Sequence, residues 1–406
     1  MNFSTFELAN GIRCIFQSRP SNIVHVGLMI KAGSRDETSD KEGLAHFIEH
    51  ALFKGTKKRK AFHILNRLEA VGAELNAYTT KEETCIYASS LKQDFARSME
   101  LIFDIGFNSV FPEKELEKEK DVINEEIQSY LDSPFEMVFD DFESKLFSGH
   151  SLGGNILGTK ESLKSLRRED IHNFQDKYYL TNQMVISIVG GVSLARAKKI
   201  AEKYFSSIQS KKEEIKRDVP HLIKPFNIKE KKKTNQTHII LGNRAYNNSH
   251  PQKRGLILLN NILGGPTMNN RLTLSIREKK GLAYHTESNY TAYTDSGLIM
   301  IYIGADASNA EQSISLVQKE LKNLRDHKIG SRQLAMAKKQ IKGQIALAQE
   351  NGSNVMLALG KSLLFNNKVD TIIEVFEAID DVTSNDLIEI SNEIFDPNDI
   401  SQLIYS

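Results

Sequence analysis

The period of the apolar positions changes along the chain, and each change marks an element. Residues 12–17 and 24–31 read as strands, with Val24, Val26, Leu28 and Ile30 in alternation. Ser39 and Glu42 have the spacing of a capping box, which predicts a short helix after them, closed by Gly55. Helical spacing returns over 61–70, stopped by Gly72, and again over 95–107; residues 75–80 and 86–91 between them read as strands. Pro112 opens a charged helix that runs to about Leu131. Beyond it, 161–179 reads as helix, 184–189 as a buried strand ended by Gly190-Gly191, and 193–207 as helix. The lysine-rich stretch 207–235, with Pro220 and Pro225, reads as a linker.

The second half repeats the first. Asp170-Ile171 precedes Tyr179 by nine residues and Asn182 by twelve, and Asp386-Leu387 precedes Phe395 and Asn398 by the same spacings, at an offset of 216. His25-Val26 is echoed by His238-Ile239 at an offset of 213. The expectation is an α+β chain of two homologous domains, each an antiparallel-rich sheet packed with helices, produced by internal duplication. Residues 1–206 form the first, metal-bearing domain, 207–235 the linker and 236–406 the second domain.

The helix after Glu42 carries the candidate chemistry. His46 and His50 are four residues apart and share one helical face, as two ligands of one metal must. Glu49 falls beside them, where it can serve as general base for a water held by the metal. The order His-x-x-Glu-His inverts the commoner His-Glu-x-x-His zinc signature. Two histidines at helical spacing also arise by chance, so a third ligand decides the matter.

The charged helix offers one. Leu116, Val122, Ile123, Ile127 and Tyr130 form an apolar stripe interrupted by Glu119 and Glu126, while Lys118, Asp121 and Glu125 fall on the solvent side. An unpaired carboxylate in a buried stripe is costly and seeks a partner. Periodicity therefore selects Glu126 over Glu125 as the third ligand. Glu119 lies ~10 Å further along the same face, suited to a supporting role. In the second copy, the offset of 213 places Leu259–Leu263 opposite His46–His50, without a metal ligand.

Composition adds limits. The 406 residues exceed one ordinary core, and 40% hydrophobic with 26% charged residues is ordinary for a water-soluble protein. A formal net charge of +1 leaves no electrostatic case for nucleic acid or an anionic membrane surface. Cys14 and Cys85, the only cysteines, sit in strand-like apolar contexts and are expected as buried thiols. No apolar run reaches the ~20 residues that span a bilayer. The N-terminus lacks the basic and apolar regions of a secretory signal, so a soluble cytoplasmic protein is expected.

These motifs, in this order, resemble the pitrilysin-type inverzincin (M16) peptidases, in the branch of the mitochondrial processing peptidase β-subunit and its bacterial relatives. The resemblance rests on the following stretches: His46-Phe-Ile-Glu-His50 continuing into Ala51-Leu-Phe-Lys-Gly-Thr56; Leu75-Asn-Ala-Tyr-Thr79 with Glu82-x-Thr84; Glu117 to Glu126; Leu152-Gly-Gly-Asn-Ile-Leu-Gly158; and Ile276-Arg-Glu-Lys-Lys-Gly-Leu-Ala-Tyr284. It departs from the family pattern at Pro266, inside a usually glycine-rich loop, and at His285, where a small residue is common.

The resemblance implies one zinc ion per chain, held by His46, His50 and Glu126, with Glu49 as base and Glu119 assisting. It also implies that extended peptide adds as a strand along Asn76 and Ala77, and that Arg277 and Tyr284 hold substrate carbonyls. The expected activity is zinc-dependent endoproteolysis of unstructured peptides or presequence-like segments inside a dimeric chamber. The family's larger members carry four such domains, so this chain is expected as a homodimer, or paired with a paralogous subunit. The competing reading is a catalytically silent peptide-binding or scaffolding subunit of the same fold.

Overall fold

The computed structural model describes residues 3–406. Six strands, β1 (Ser4–Glu7), β2 (Arg13–Ser18), β3 (Ile23–Ile30), β4 (Glu74–Thr79), β5 (Thr84–Leu91) and β6 (Met184–Gly190), form a sheet in the order β1-β2-β6-β3-β5-β4. A second sheet has the order β7-β11-β8-β10-β9, from β7 (Asn227–Glu230), β8 (Thr237–Arg244), β9 (Ala283–Ala292), β10 (Gly297–Ala305) and β11 (Ser401–Tyr405). β2–β6 and β7–β11 are parallel pairs; the other named neighbours are antiparallel.

The duplication is visible in the strand register. Val26 pairs with Ile188 in the first sheet, and Ile239 with Ile404 in the second. The two pairs are related by 213 on one strand and 216 on the other, the offsets read from the sequence. The chain is an α+β protein of two homologous domains.

The helices are α1 (Leu44–Leu52), α2 (Ala61–Glu69), α3 (Phe95–Phe107), α4 (Glu113–Leu131), α5 (Pro134–Leu146), α6 (Lys160–Ser165), α7 (Arg168–Tyr178) and α8 (Leu194–Phe205) in the first half. The second half has α9 (Lys253–Gly264), α10 (Ala310–Asp326), α11 (Ser331–Ala348), α12 (Gly352–Asn366), α13 (Ile372–Asp380) and α14 (Ser384–Ile394).

The compact units interleave along the chain. One comprises residues up to Ile127, Gly154–Asp218 and Leu347–Thr371; the other Gln128–Gly153, Val219–Ala346 and Ile372–Ser406. A linear boundary at 207–235 therefore assigns two helices differently. In the first unit, Val355, Met356 and Leu364 of α12 pack with Ile15, Met29 and Val185 on one face of the sheet. In the second, Val138, Phe142 and Leu146 of α5 pack with Ile240, Met300 and Leu403. α5 and α12 occupy equivalent places in the two copies, so each copy's helix covers the other copy's sheet. Such long-range exchange leaves no mark in local periodicity.

The other face of the first sheet carries the large core that positions the site. Leu44, Ala45, Phe47, Ile48, Ala51 and Leu52 of α1 are all buried there. Their spacing forces His46, Glu49 and His50 onto the opposite face of the helix.

Several local expectations change. The helix expected over 161–179 is two, because Leu166 and Arg167 are extended and the Asp170 carboxylate accepts the Arg167 N–H at the start of α7. Ser39 does not cap α1. Gly43, at φ +87°, begins it, and the Glu37 carboxylate accepts the N–H groups of Gly43 and Ala45 at 2.8 and 2.6 Å. A Cβ at Gly43 would lie 2.7 Å from the Leu157 carbonyl, so the close approach of Leu157 and Gly158 requires glycine there. Val122 is largely exposed rather than part of the stripe.

The linker is fastened at its proximal end within the first unit. Arg217 grips both oxygens of Asp36 at 2.9 and 2.8 Å and reaches Glu82 at 3.1 Å. Its distal end supplies β7. Cys14 and Cys85 are buried free thiols. No described helix is long and apolar enough to cross a membrane.

The helix equivalence also needs correction. α1 and α9 share one burial rhythm at an offset of 211: Phe47, Ile48 and Leu52 match Leu258, Leu259 and Leu263, all buried. Leu259 and Leu263 thus replace core residues. The positions equivalent to His46, Glu49 and His50 are Ile257, Asn260 and Asn261. The segment before α9 is two residues shorter than the one before α1, relative to the strand offset, and a constant offset cannot register that.

Candidate metal centre

α1 and α4 bring together what the sequence spaced 76 residues apart. The Nε2 atoms of His46 and His50 lie 3.8 and 3.5 Å from Oε2 of Glu126. All three ligand atoms fall within 4.8 Å of one another. Ligands at ~2.0–2.2 Å from a tetrahedral ion are themselves ~3.4 Å apart, so this set fits zinc and leaves a fourth position open.

Protonation favours the same reading. Burial, reinforced by the neighbouring His50, pushes the His46 imidazole down to about 4, so it is neutral near pH 7 as a ligand must be. The buried Nδ1 of His46 has no hydrogen-bond partner. His50 is oriented differently: its Nδ1 lies 2.9 Å from Oε1 of Glu119, leaving Nε2 turned to Glu126. Glu119 is buried, and its other oxygen is 2.5 Å from Lys54 Nζ. Lys54 was not anticipated; it lies in the turn just beyond the end of α1, four residues after His50.

Glu126 lies at the edge of the stripe with its side chain 43% exposed, and Glu125 is exposed on the solvent side. Of the two acids picked from periodicity, Glu119 is therefore the buried one.

Glu49 stands next to the cluster. Burial raises its carboxyl above the ordinary range, opposed by a hydrogen bond with Thr79 and by His50. Thr79, also unanticipated, ends β4. That strand is the edge of its sheet, pairing only with β5. Asn76 and Ala77 both lie on it, on opposite faces because side chains alternate along a strand. The free edge can accept an extended chain.

Arg277 and Tyr284 belong to the second unit. Arg277 lies in a π-helical turn, Thr273–Glu278, half-exposed and 3.7 Å from Glu278. Tyr284 is the second residue of β9 and is 59% exposed, with its hydroxyl 3.4 Å from an Asp306 oxygen. Both side chains are open to solvent, and neither is committed to a strong partner.

Comparison with known proteins gives a consistent picture. A family model described as "Insulinase (Peptidase family M16)" matches residues 13–160, and one described as "Peptidase M16 inactive domain" matches 165–341. The chain is 35% identical to the "Uncharacterized zinc protease YmxG" of Bacillus subtilis (strain 168), over 96% of this chain and 95% of that one. It is 30% identical to the mitochondrial-processing peptidase subunit beta of Saccharomyces cerevisiae, over 96% of this chain and 87% of that one. A protease from Helicobacter pylori shares the fold with a TM-score of 0.92 at 22% identity, covering 100% of this chain and 99% of that one.

Proposed function

Because the chain belongs to the M16 family of peptidases, we propose that it is a zinc-dependent endopeptidase acting on unstructured peptides or presequence-like segments. The carrying observation is the convergence of His46, His50 and Glu126 on one point, with Glu49 beside it. The names of the relatives, zinc proteases, support the choice of metal.

His46, His50 and Glu126 hold the ion, one per chain. When bound, zinc supplies a Lewis acid that lowers the pKa of water in the open position towards ~7. Glu49 takes the proton from the attacking water and later delivers it to the leaving amine nitrogen. Its burial raises the carboxyl above the ordinary range, which favours its taking up a proton. Glu119 fixes the His50 tautomer, and Lys54 holds Glu119 in turn. Substrate lies extended along the β4 edge at Asn76 and Ala77, bound mainly through its backbone.

Arg277 and Tyr284 hold substrate carbonyls, and Tyr284 steadies the developing oxyanion. In a homodimer, or in a pair with a paralogous subunit, these two residues of one subunit complete the metal site of the other. The silent-subunit reading is disfavoured by the intact set of His46, Glu49, His50 and Glu126. Metal analysis of the purified chain together with cleavage of a mixed peptide library tests the proposal. About one zinc per chain with chelator-sensitive cuts is expected; bound zinc without cleavage would favour the silent subunit.

A further inference from the structure

The duplication leaves a second site in the second unit, equivalent to the metal centre but with different chemistry. α4 and α11 share one burial rhythm at an offset of 218: Leu116, Glu119 and Ile123 match Leu334, Ala337 and Ile341, all buried. Glu126 is thereby matched by Gln344, and α9 places Ile257, Asn260 and Asn261 where α1 has His46, Glu49 and His50. The ligand set His-His-Glu has become Ile-Asn-Gln, which holds no zinc. The space between the helices remains: Ile257, Asn261, Arg277, Glu287, Ile341 and Gln344 are among the residues lining a cavity of about 620 Å³.

Two donors in that cavity are unsatisfied. Asn261 is only 6% exposed, and its buried Nδ2 has no hydrogen-bond partner. The buried Nε2 of Gln344 has none either. Asn260, by contrast, is committed to Ser288 through both ends of its amide, at 2.9 and 2.5 Å. A buried unpaired donor costs stability, so unpaired donors lining one cavity mark a place for an acceptor. The half-exposed Arg277 guanidinium adds positive charge, partly offset by Glu278 at 3.7 Å. The one acidic group among these lining residues, Glu287, lies 3.6 Å from His285.

We infer that this cavity is a binding site for the carboxylate at the C-terminal end of a peptide, with Asn261 and Gln344 donating to its oxygens and Arg277 balancing its charge. Ile257, Ile341 and Ile345 form apolar walls for the last side chain. One side of the cavity is β9, an edge strand with its outer backbone groups unpaired by any strand, which serves the preceding residues as an extended chain. A metal centre and a carboxylate site thus occupy equivalent places in the two copies. The inference extends the peptide-directed reading above without depending on turnover.

The test measures binding to the full chain by fluorescence anisotropy, with zinc present and again with chelator. The probe is a short labelled unstructured peptide ending in leucine, as free acid and as C-terminal amide. The acid is expected to bind about tenfold or more tighter than the amide, with or without chelator. The near-isosteric variants Asn261→Asp and Gln344→Glu, each confirmed as folded by circular dichroism, should each abolish that preference. Equal binding of acid and amide by the unaltered chain would overturn the inference, and that comparison needs no variant. Retention of the preference in both variants would also overturn it. So would tight binding of an amidated peptide ending in glutamate, which would place the recognised carboxylate on a side chain. Failure of the hydrolytic proposal appears separately, as absent cleavage with binding intact.

Discussion

Nδ1 of His50 lies 2.9 Å from the buried carboxylate of Glu119, which leaves the Nε2 of that ring free to face Glu126. An acid seven residues from one candidate ligand on α4 thus sets the orientation of another candidate ligand on α1. Glu119→Ala is expected to weaken zinc binding by about 10- to 100-fold, measured by competition with a chromogenic chelator, and Lys54→Met by less. Wild-type affinity in Glu119→Ala would remove this residue from the centre.

Glu49→Gln removes the proposed base and none of the proposed ligands. Zinc content should stay near one per chain while kcat falls by about 100- to 10,000-fold. Near-normal turnover at full zinc occupancy would show that another group moves the proton.

The neighbouring acids of α4 should separate cleanly. Glu126 faces both histidines, and Glu125 points to solvent. Glu126→Gln is expected to lose zinc on dialysis, and Glu125→Gln to retain it. Similar loss from both would mean that α4 is rotated from the orientation described.

Metal-free stability should depend on pH through His46. Its folded value of about 4 lies below the ordinary 6.5, so the unfolded chain binds more protons between these two values. The contribution of the neutral ring is complete above pH 6.5 and is lost as pH falls through 4. At ~1.4 kcal/mol per pKa unit this amounts to about 3 to 4 kcal/mol at most. Urea denaturation in chelator should therefore show stability rising from pH 4 to 6.5, and His46→Gln should flatten that rise. An unchanged slope in the variant would assign the titration elsewhere.

Complementation addresses assembly. Chains bearing Glu49→Gln and chains bearing Tyr284→Phe should each be poorly active alone. Co-expressed, about half the dimers are mixed and each has one intact site, restoring roughly a quarter of wild-type sites. Mixed dimers confirmed by mass, yet no more active than the average of the parents, would mean that each site is completed within one chain.

The local geometry of the candidate site was legible because it rests on helical periodicity. His46, Glu49 and His50 share a surface of α1 since Phe47, Ile48, Ala51 and Leu52 must be buried. The same reasoning reached Glu119 and Glu126, but it could not rank their burial, because that depends on what packs over each turn of α4. Glu37 as the cap of α1, Thr79 beside Glu49 and Lys54 on Glu119 went unread. The first two contacts join separate elements, and the third needs Glu119 to be in place.

By itself the sequence determined the two-copy architecture, the strand offsets of 213 and 216 and the face of α1 that carries the histidines, since periodicity and spacing are properties of the chain alone. Only the tertiary structure decided that α5 and α12 exchange places between the units, because either sheet offers an apolar face to either helix. It alone also set the helix offset at 211, which turns the second copy's counterpart of His46, Glu49 and His50 from buried leucines into Ile257, Asn260 and Asn261. A two-residue difference in a connecting segment rotates a helix by more than half a turn relative to any constant alignment, and only packing against the sheet shows which face was kept.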